Sequence, residues 1–239
     1  MNSPVFGEFI GTFVLILFGS GVGASTSLKK TLAKGAGHDW LYVAFGWGVA
    51  VMLGVYTSGF FGSPGHLNPA VTIGFAVNGT FEWGQVVPFI LAQVAGAFVG
   101  ALLAAIQFWP HFKETKTDEG NSVGIFATGP AIPNTLFNLL SEIIATFAFV
   151  LSIQILPASD MPVGLQPLVL VFVLVAIALS LGTTTGYAIN PARDFGPRLM
   201  YVLMPIPNKG GANWGYAWIP IVGPIVGACL ATLLIAALS

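Results

Sequence analysis

Gly65-His66-Leu67-Asn68-Pro69-Ala70 and Gly186-Tyr187-Ala188-Ile189-Asn190-Pro191-Ala192 are the two stretches that decide the fold. Each sets an Asn-Pro-Ala triplet behind an irregular Gly-containing segment and ahead of a helix-forming run. Asn is a favoured N-cap and Pro a favoured first helical residue, so both triplets read as helix starts. The first helix, Pro69 to about Val77, is expected to be only about 13 Å long. That is less than half of the roughly 30 Å hydrocarbon core of a bilayer. Two such half-helices entering from opposite faces would meet at the midplane and span it together.

The surrounding composition agrees with a bilayer setting. Of 239 residues, 55% are hydrophobic and only 7% charged, and the mean hydropathy is +0.85. Such values exclude an ordinary soluble domain. Eight Lys and Arg face nine Asp and Glu, which leaves no basic surface for nucleic acid and no charged tail. The one cysteine, Cys229, lies in an apolar segment and reads as a packing residue. With three His and no His or Cys cluster, no metal site or other cofactor is expected. The first apolar run lacks a basic leader and a cleavage signal, so it reads as a retained span.

Hydropathy and punctuation give six spans, at about 5–25, 40–58, 85–108, 136–156, 165–184 and 218–238. Glu8-x-x-x-Thr12 in the first is repeated as Glu142-x-x-x-Thr146 in the fourth. Val94-Ala95-Gly96-Ala97 in the third is matched by Ile225-Val226-Gly227-Ala228 in the sixth. A first repeat of about 1–108, a connection of about 109–135 and a second repeat of about 136–239 therefore form one domain. Three spans per half reverse the direction of the second half. The reading is an all-α inverted repeat with its working site between the halves. Gly96-x-x-x-Gly100 and Gly223-x-x-x-Gly227 read as contacts inside one subunit.

Non-helical backbone at membrane depth must be buried in protein or face a watery cavity. The carbonyls of Gly65, His66, Leu67, Gly186, Ala188 and Ile189 are therefore expected to line a passage as acceptors. The Asn68 and Asn190 amides would offer donors at its centre. Two helix N-termini, each carrying about +0.5 of a charge, would repel cations there and orient water against proton relay. The expected cargo is small, neutral and hydrogen-bonding. Glu8 and Glu142 have two readings: anchors for the N–H groups of the irregular loops, or a proton relay in a coupled transporter. Arg193, in the first turn of the second half-helix, could pair with Asp194, snorkel, or face the passage.

With these motifs the chain resembles the aquaporin and glycerol-facilitator family, the major intrinsic proteins, over essentially its whole length. The matching stretches are His66 to Thr72, Gly186 to Arg193 and the two Glu-x-x-x-Thr openings. The resemblance implies six tilted helices plus two re-entrant half-helices, one pore per subunit, and a homotetramer in the cell membrane. It implies cytoplasmic termini. The lysines of the presumed outer connections (Lys29, Lys30, Lys34, Lys113, Lys116) would by themselves favour the reverse. It implies an outer constriction of Phe45, Ala178, Tyr187 and Arg193, with Trp47 turned elsewhere on a regular helix.

Water-selective relatives usually have His at the position of Ala178. A methyl there is expected to leave room for a carbon chain beside two aromatic rings. Asp194-Phe195-Gly196-Pro197-Arg198 and Gly124-Ile125-Phe126-Ala127-Thr128 resemble the glycerol-facilitator branch, whose loop is expected to fold over the outer vestibule. Passive passage of glycerol, similar polyols and water is the function implied, with urea, dihydroxyacetone and protonated lactic acid as further cargo. The alternatives are a water-selective channel and a proton-coupled transporter using Glu8 and Glu142. No nucleophile–base pair or metal spacing suggests an enzyme. His66 is expected to brace the first loop.

Overall fold

The computed structural model describes residues 3–33, 40–119 and 122–238. Lys34 and His38 fall outside the described residues. In chain order the helices are α1 (Pro4–Ser27), α2 (Trp40–Phe60), α3 (Pro69–Val77), α4 (Trp83–Gln107) and α5 (Trp109–Glu114). They continue with α6 (Val123–Phe126), α7 (Thr135–Ile155), α8 (Gln166–Ser180), α9 (Pro191–Leu203) and α10 (Ile219–Leu238). No strand occurs among the described residues. Six segments are long and apolar enough to cross a membrane: α1, α2, α4, α7, Val163–Ser180 and α10. Helix α3 has 9 residues and α9 has 13, so both are half-helices.

Local chemistry starts these helices where their sequences say it should. Ser3 caps α1 by accepting from the Phe6 N–H at 3.3 Å, with Pro4 at the first helical position. Asn134 caps α7 in the same way, accepting from Phe137 N–H at 3.2 Å. The fifth span stops at Ser180, short of the expected 184. Beyond it the chain turns, and Gly186 N–H bonds the Gly182 carbonyl at 2.8 Å instead of extending the helix.

The two halves repeat one another in their packing. Helix α1 lies on α2 and α4, and α7 lies on α8 and α10. The half-helices cross over: α3 packs chiefly on α10 of the other half, and α9 chiefly on α4. Neither half can therefore complete its core alone. Small residues permit the closest approaches. A Cβ added to Gly96 would stand 2.1 Å from the Phe9 carbonyl oxygen, and one on Gly227 would stand 2.4 Å from that of Ile143. Both glycine pairs thus serve helix contacts within the chain, as their spacing suggested.

On one side the connections are stitched together. Lys29 N–H donates to Thr115 Oγ1 at 2.9 Å, and Lys30 pairs with Glu114. The ammonium beside it holds the Glu114 carboxyl below its usual pKa. Gly96→Val is expected to destabilise the protein by about 1–3 kcal/mol or more, because backbone cannot yield as a side chain can. Gly59→Ala, which meets nothing within 4 Å, is the neutral control. Thermal unfolding of the two detergent-solubilised variants checks this, and equal melting temperatures would contradict it.

Candidate functional site

The site is built on two buried carboxylates. Glu8 and Glu142 are both fully buried, and each lies one helical turn before a Thr whose hydroxyl bonds the Glu carbonyl at 2.7 Å. Glu8 accepts from His66 N–H (2.9 Å), Leu67 N–H (2.6 Å), Ser63 Oγ (2.5 Å) and Gln93 Nε2 (2.7 Å). Glu142 accepts from Ala188 N–H (3.0 Å), Ile189 N–H (2.9 Å) and Thr185 Oγ1 (2.7 Å). Both carboxylates are thus occupied in holding an irregular loop. Gln93 also donates to Thr72 Oγ1 at 3.0 Å, and Thr72 meets His66 Nδ1 at 3.2 Å. Rings of Phe75, Phe81 and Phe89 surround His66, which therefore braces the first loop as expected.

Held this way, the loops take conformations that side chains seldom adopt. Gly65 and Leu67 have φ of 73° and 52°, and Gly186, Tyr187 and Ile189 have 83°, 37° and 43°. Positive φ costs energy for Leu, Tyr and Ile, so the carboxylates and packing must enforce it. The turn brings Asn68 and Asn190 to the half-helix tips. Asn68 Oδ1 accepts from Ala70 N–H at 2.9 Å, and Asn190 Oδ1 from Ala192 N–H at 3.0 Å and Arg193 N–H at 3.2 Å. Pro69 and Pro191 open the helices behind them.

The two tips meet. Asn68 Nδ2 donates to the Ile189 carbonyl and Asn190 Nδ2 to the Leu67 carbonyl, both at 2.8 Å. Each amide keeps one further N–H. The carbonyls of Leu67 and Ile189 thus each take one bond that joins the half-helices and keep a second lone pair, and both residues line a cavity beside this junction. That cavity, of about 440 Å³, is also lined by both Asn, by Gly65, His66 and Ala188, and by apolar side chains such as Val51 and Phe75. Gly186 is not among its lining residues.

At one end the cavity reaches Tyr187 and Arg193. The Arg193 guanidinium lies over the ring of Trp47, 3.8 Å from its centroid, and its Nη1 donates to the Phe126 carbonyl at 2.9 Å. It does not pair with Asp194. That carboxylate is fully buried and bonds Arg198 through Oδ1 to Nε (2.8 Å) and Oδ2 to Nη2 (2.9 Å). It also accepts from the N–H and hydroxyl of Thr128, each at 2.8 Å. The segment Gly124 to Thr128 is thus tied to the first turn of α9 through Arg193 and Asp194.

Two expectations need correction. Phe45 is 42% exposed and meets Phe172 on the outside of the bundle. Trp47 takes the inward place because it shares a helical face with Val51 and Val55, which line the cavity, while Phe45 shares one with exposed Leu41 and Val49. Gly19 makes room for the indole: a Cβ there would stand 2.3 Å from it. Ala178 is fully buried and does not line the cavity. Its neighbour Gly182 receives the Tyr187 ring, so the room left by small residues is filled by tyrosine. Trp47 is the residue the sequence reading turned the wrong way, and the contacts made by Phe126, Gln93 and the Asp194–Arg198 pair carried no signal in it. The Trp47-Val51-Val55 spacing puts three residues on one helical face, but Leu41-Phe45-Val49 does the same, so spacing alone does not say which face turns inward.

An inverted repeat of helices whose half-helices meet beside a passage defines a membrane transport fold. The chain belongs to the major intrinsic protein family, whose model matches residues 2–235. It is 53% identical to glycerol uptake facilitator protein 2 of Lactiplantibacillus plantarum over 226 residues, 94% of either chain. It is 51% identical to the glycerol uptake facilitator protein of Streptococcus pneumoniae, over 98% of each. The structure of the aquaglyceroporin from Plasmodium falciparum superposes with a TM-score of 0.84 at 26% identity, covering 97% of this chain and 93% of that one. Asp194→Ala would strand Arg198 as a buried charge, at a cost of about 3–5 kcal/mol. A melting temperature within error of wild type would refute that role.

Proposed function

We propose that the protein is a passive channel for glycerol, similar small polyols and water, made by residues 1–239 as a single domain. The observation that carries this is the lopsided lining at the cavity end. Arg193 offers guanidinium N–H groups there and Tyr187 an aromatic ring, while the Trp47 indole lies stacked against the guanidinium and backs it. A polyol has the same two-sided character: hydroxyls for Arg193 and a CH edge for the aromatic ring. The relatives named for glycerol uptake support the same cargo. Urea, dihydroxyacetone and protonated lactic acid share the required size and neutrality.

Ions and protons are excluded by the two half-helix N-termini and Arg193, which place positive potential along the path. A relay through Glu8 and Glu142 is disfavoured because their oxygens are committed to loop N–H and hydroxyl groups. The apolar outer faces fit a homotetramer embedded in the plasma membrane, with both termini cytoplasmic.

Stopped-flow light scattering on proteoliposomes tests the cargo. Glycerol and water fluxes are both expected well above those of empty vesicles, and water flux without glycerol flux would make this a water-selective channel. In the same assay Trp47→Ala is expected to change the glycerol-to-water ratio by about threefold or more, the scale of one cation–π contact. Phe45→Ala is expected to leave it unchanged. The reverse pattern would return Phe45 to the constriction.

A further inference from the structure

We propose that Trp40, at the start of α2, is a positioning residue that sets the size limit of the channel by holding Tyr187 in place. The inference rests on the channel reading above and adds a residue that lies outside the cavity lining. Its indole Nε1 donates to the Ala178 carbonyl at 2.7 Å. That carbonyl lies in the last turn of α8, where helix carbonyls lack intrahelical donors, so Trp40 ties α2 to the end of the fifth span. The indole also meets the Tyr187 ring edge to face, with centroids 5.8 Å apart and planes at 80°.

Tyr187 needs such a brace. Its backbone sits at a φ of 37°, which tyrosine rarely adopts. Its buried hydroxyl has no hydrogen-bond partner within the protein, so no side chain or backbone group fixes the ring by a directional contact. What remains is packing. On one side is Gly182, where an added Cβ would stand 2.4 Å from the ring, and against another edge is Trp40. Since Tyr187 also lines the cavity beside Arg193, any retreat of its ring toward Trp40 widens the passage.

The test compares ribitol, glycerol and water fluxes in proteoliposomes for wild type, Trp40→Ala, Trp40→Phe and Trp40→Ala in a Tyr187→Ala background. Trp40→Ala is expected to raise the ribitol-to-glycerol ratio by about three- to tenfold, the scale of one aromatic contact. Trp40→Phe keeps a ring against Tyr187 and is expected to stay near the wild-type ratio. A purely structural role would scale all three fluxes together and leave the ratio unmoved, which would overturn the assignment. So would an equal rise in the Tyr187→Ala background, because Trp40 would then act by another route. Should Trp40→Ala fail to reach the membrane, Trp40→Leu against Trp40→Phe decides: a higher ratio for Leu supports the brace, and equal ratios refute it. Absence of glycerol flux in wild type would count against the polyol reading instead. The Trp40 assignment would then be read from the ribitol-to-water ratio of the same variants.

Discussion

Backbone polar groups carried into the hydrocarbon region must find partners there, and every other feature of this protein follows from how that demand is met. The segments before α3 and α9 are irregular at membrane depth, so their N–H groups cannot be satisfied within a helix. Glu8 and Glu142 satisfy four of them. An ionisable group inside a span costs several kcal/mol on its own. Here that cost is offset by hydrogen bonds that are worth more in a low dielectric than in water. Thr12 and Thr146, one turn further along, bond the carbonyls of the same two glutamates.

The anchored loops then place two asparagines so that each serves both halves. One amide oxygen caps its own half-helix while the amide nitrogen reaches the carbonyl before the other triplet. The crossed packing of α3 on α10 and α9 on α4 reinforces the same union. The passage is consequently not a gap between two finished bundles. It is the unpaired side of a junction that neither half can make alone, which is why its polar groups are so few and so fixed in direction.

The cavity end is assembled from parts far apart in the chain. Trp47 comes from α2, Tyr187 from the loop after α8, and Arg193 from the first turn of α9. Phe126, from the connection between the halves, supplies the carbonyl that orients the guanidinium. The buried Asp194–Arg198 pair ties that connection down, because Arg198 Nη2 also donates to the Thr128 carbonyl at 2.8 Å. A charged group next to a passage must be held in one direction to be selective, and here several elements hold it.

Local grammar made much of this legible in the sequence. The family resemblance chose among the readings of Arg193, while cap residues, prolines, apolar lengths and the repeated glutamates identified the six spans, the two half-helices and two carboxylates open to a loop-anchoring role. Each of those signals acts over a few residues, through capping geometry, helix rise or the cost of a buried charge. The rotation of α2 about its axis was not legible, because a span that is apolar on every side carries no polar face to fix its phase. Phe45 and Trp47 are equally apolar in the text of the chain, and only Gly19, Val51 and Val55 in space decide between them. The same holds for Ala178, whose small side chain promised open room that Tyr187 and Gly182 use up. The exchange of amide and carbonyl between the two triplets likewise required both halves to be folded and facing. Sequence alone set what each segment had to be; tertiary packing alone chose which faces met.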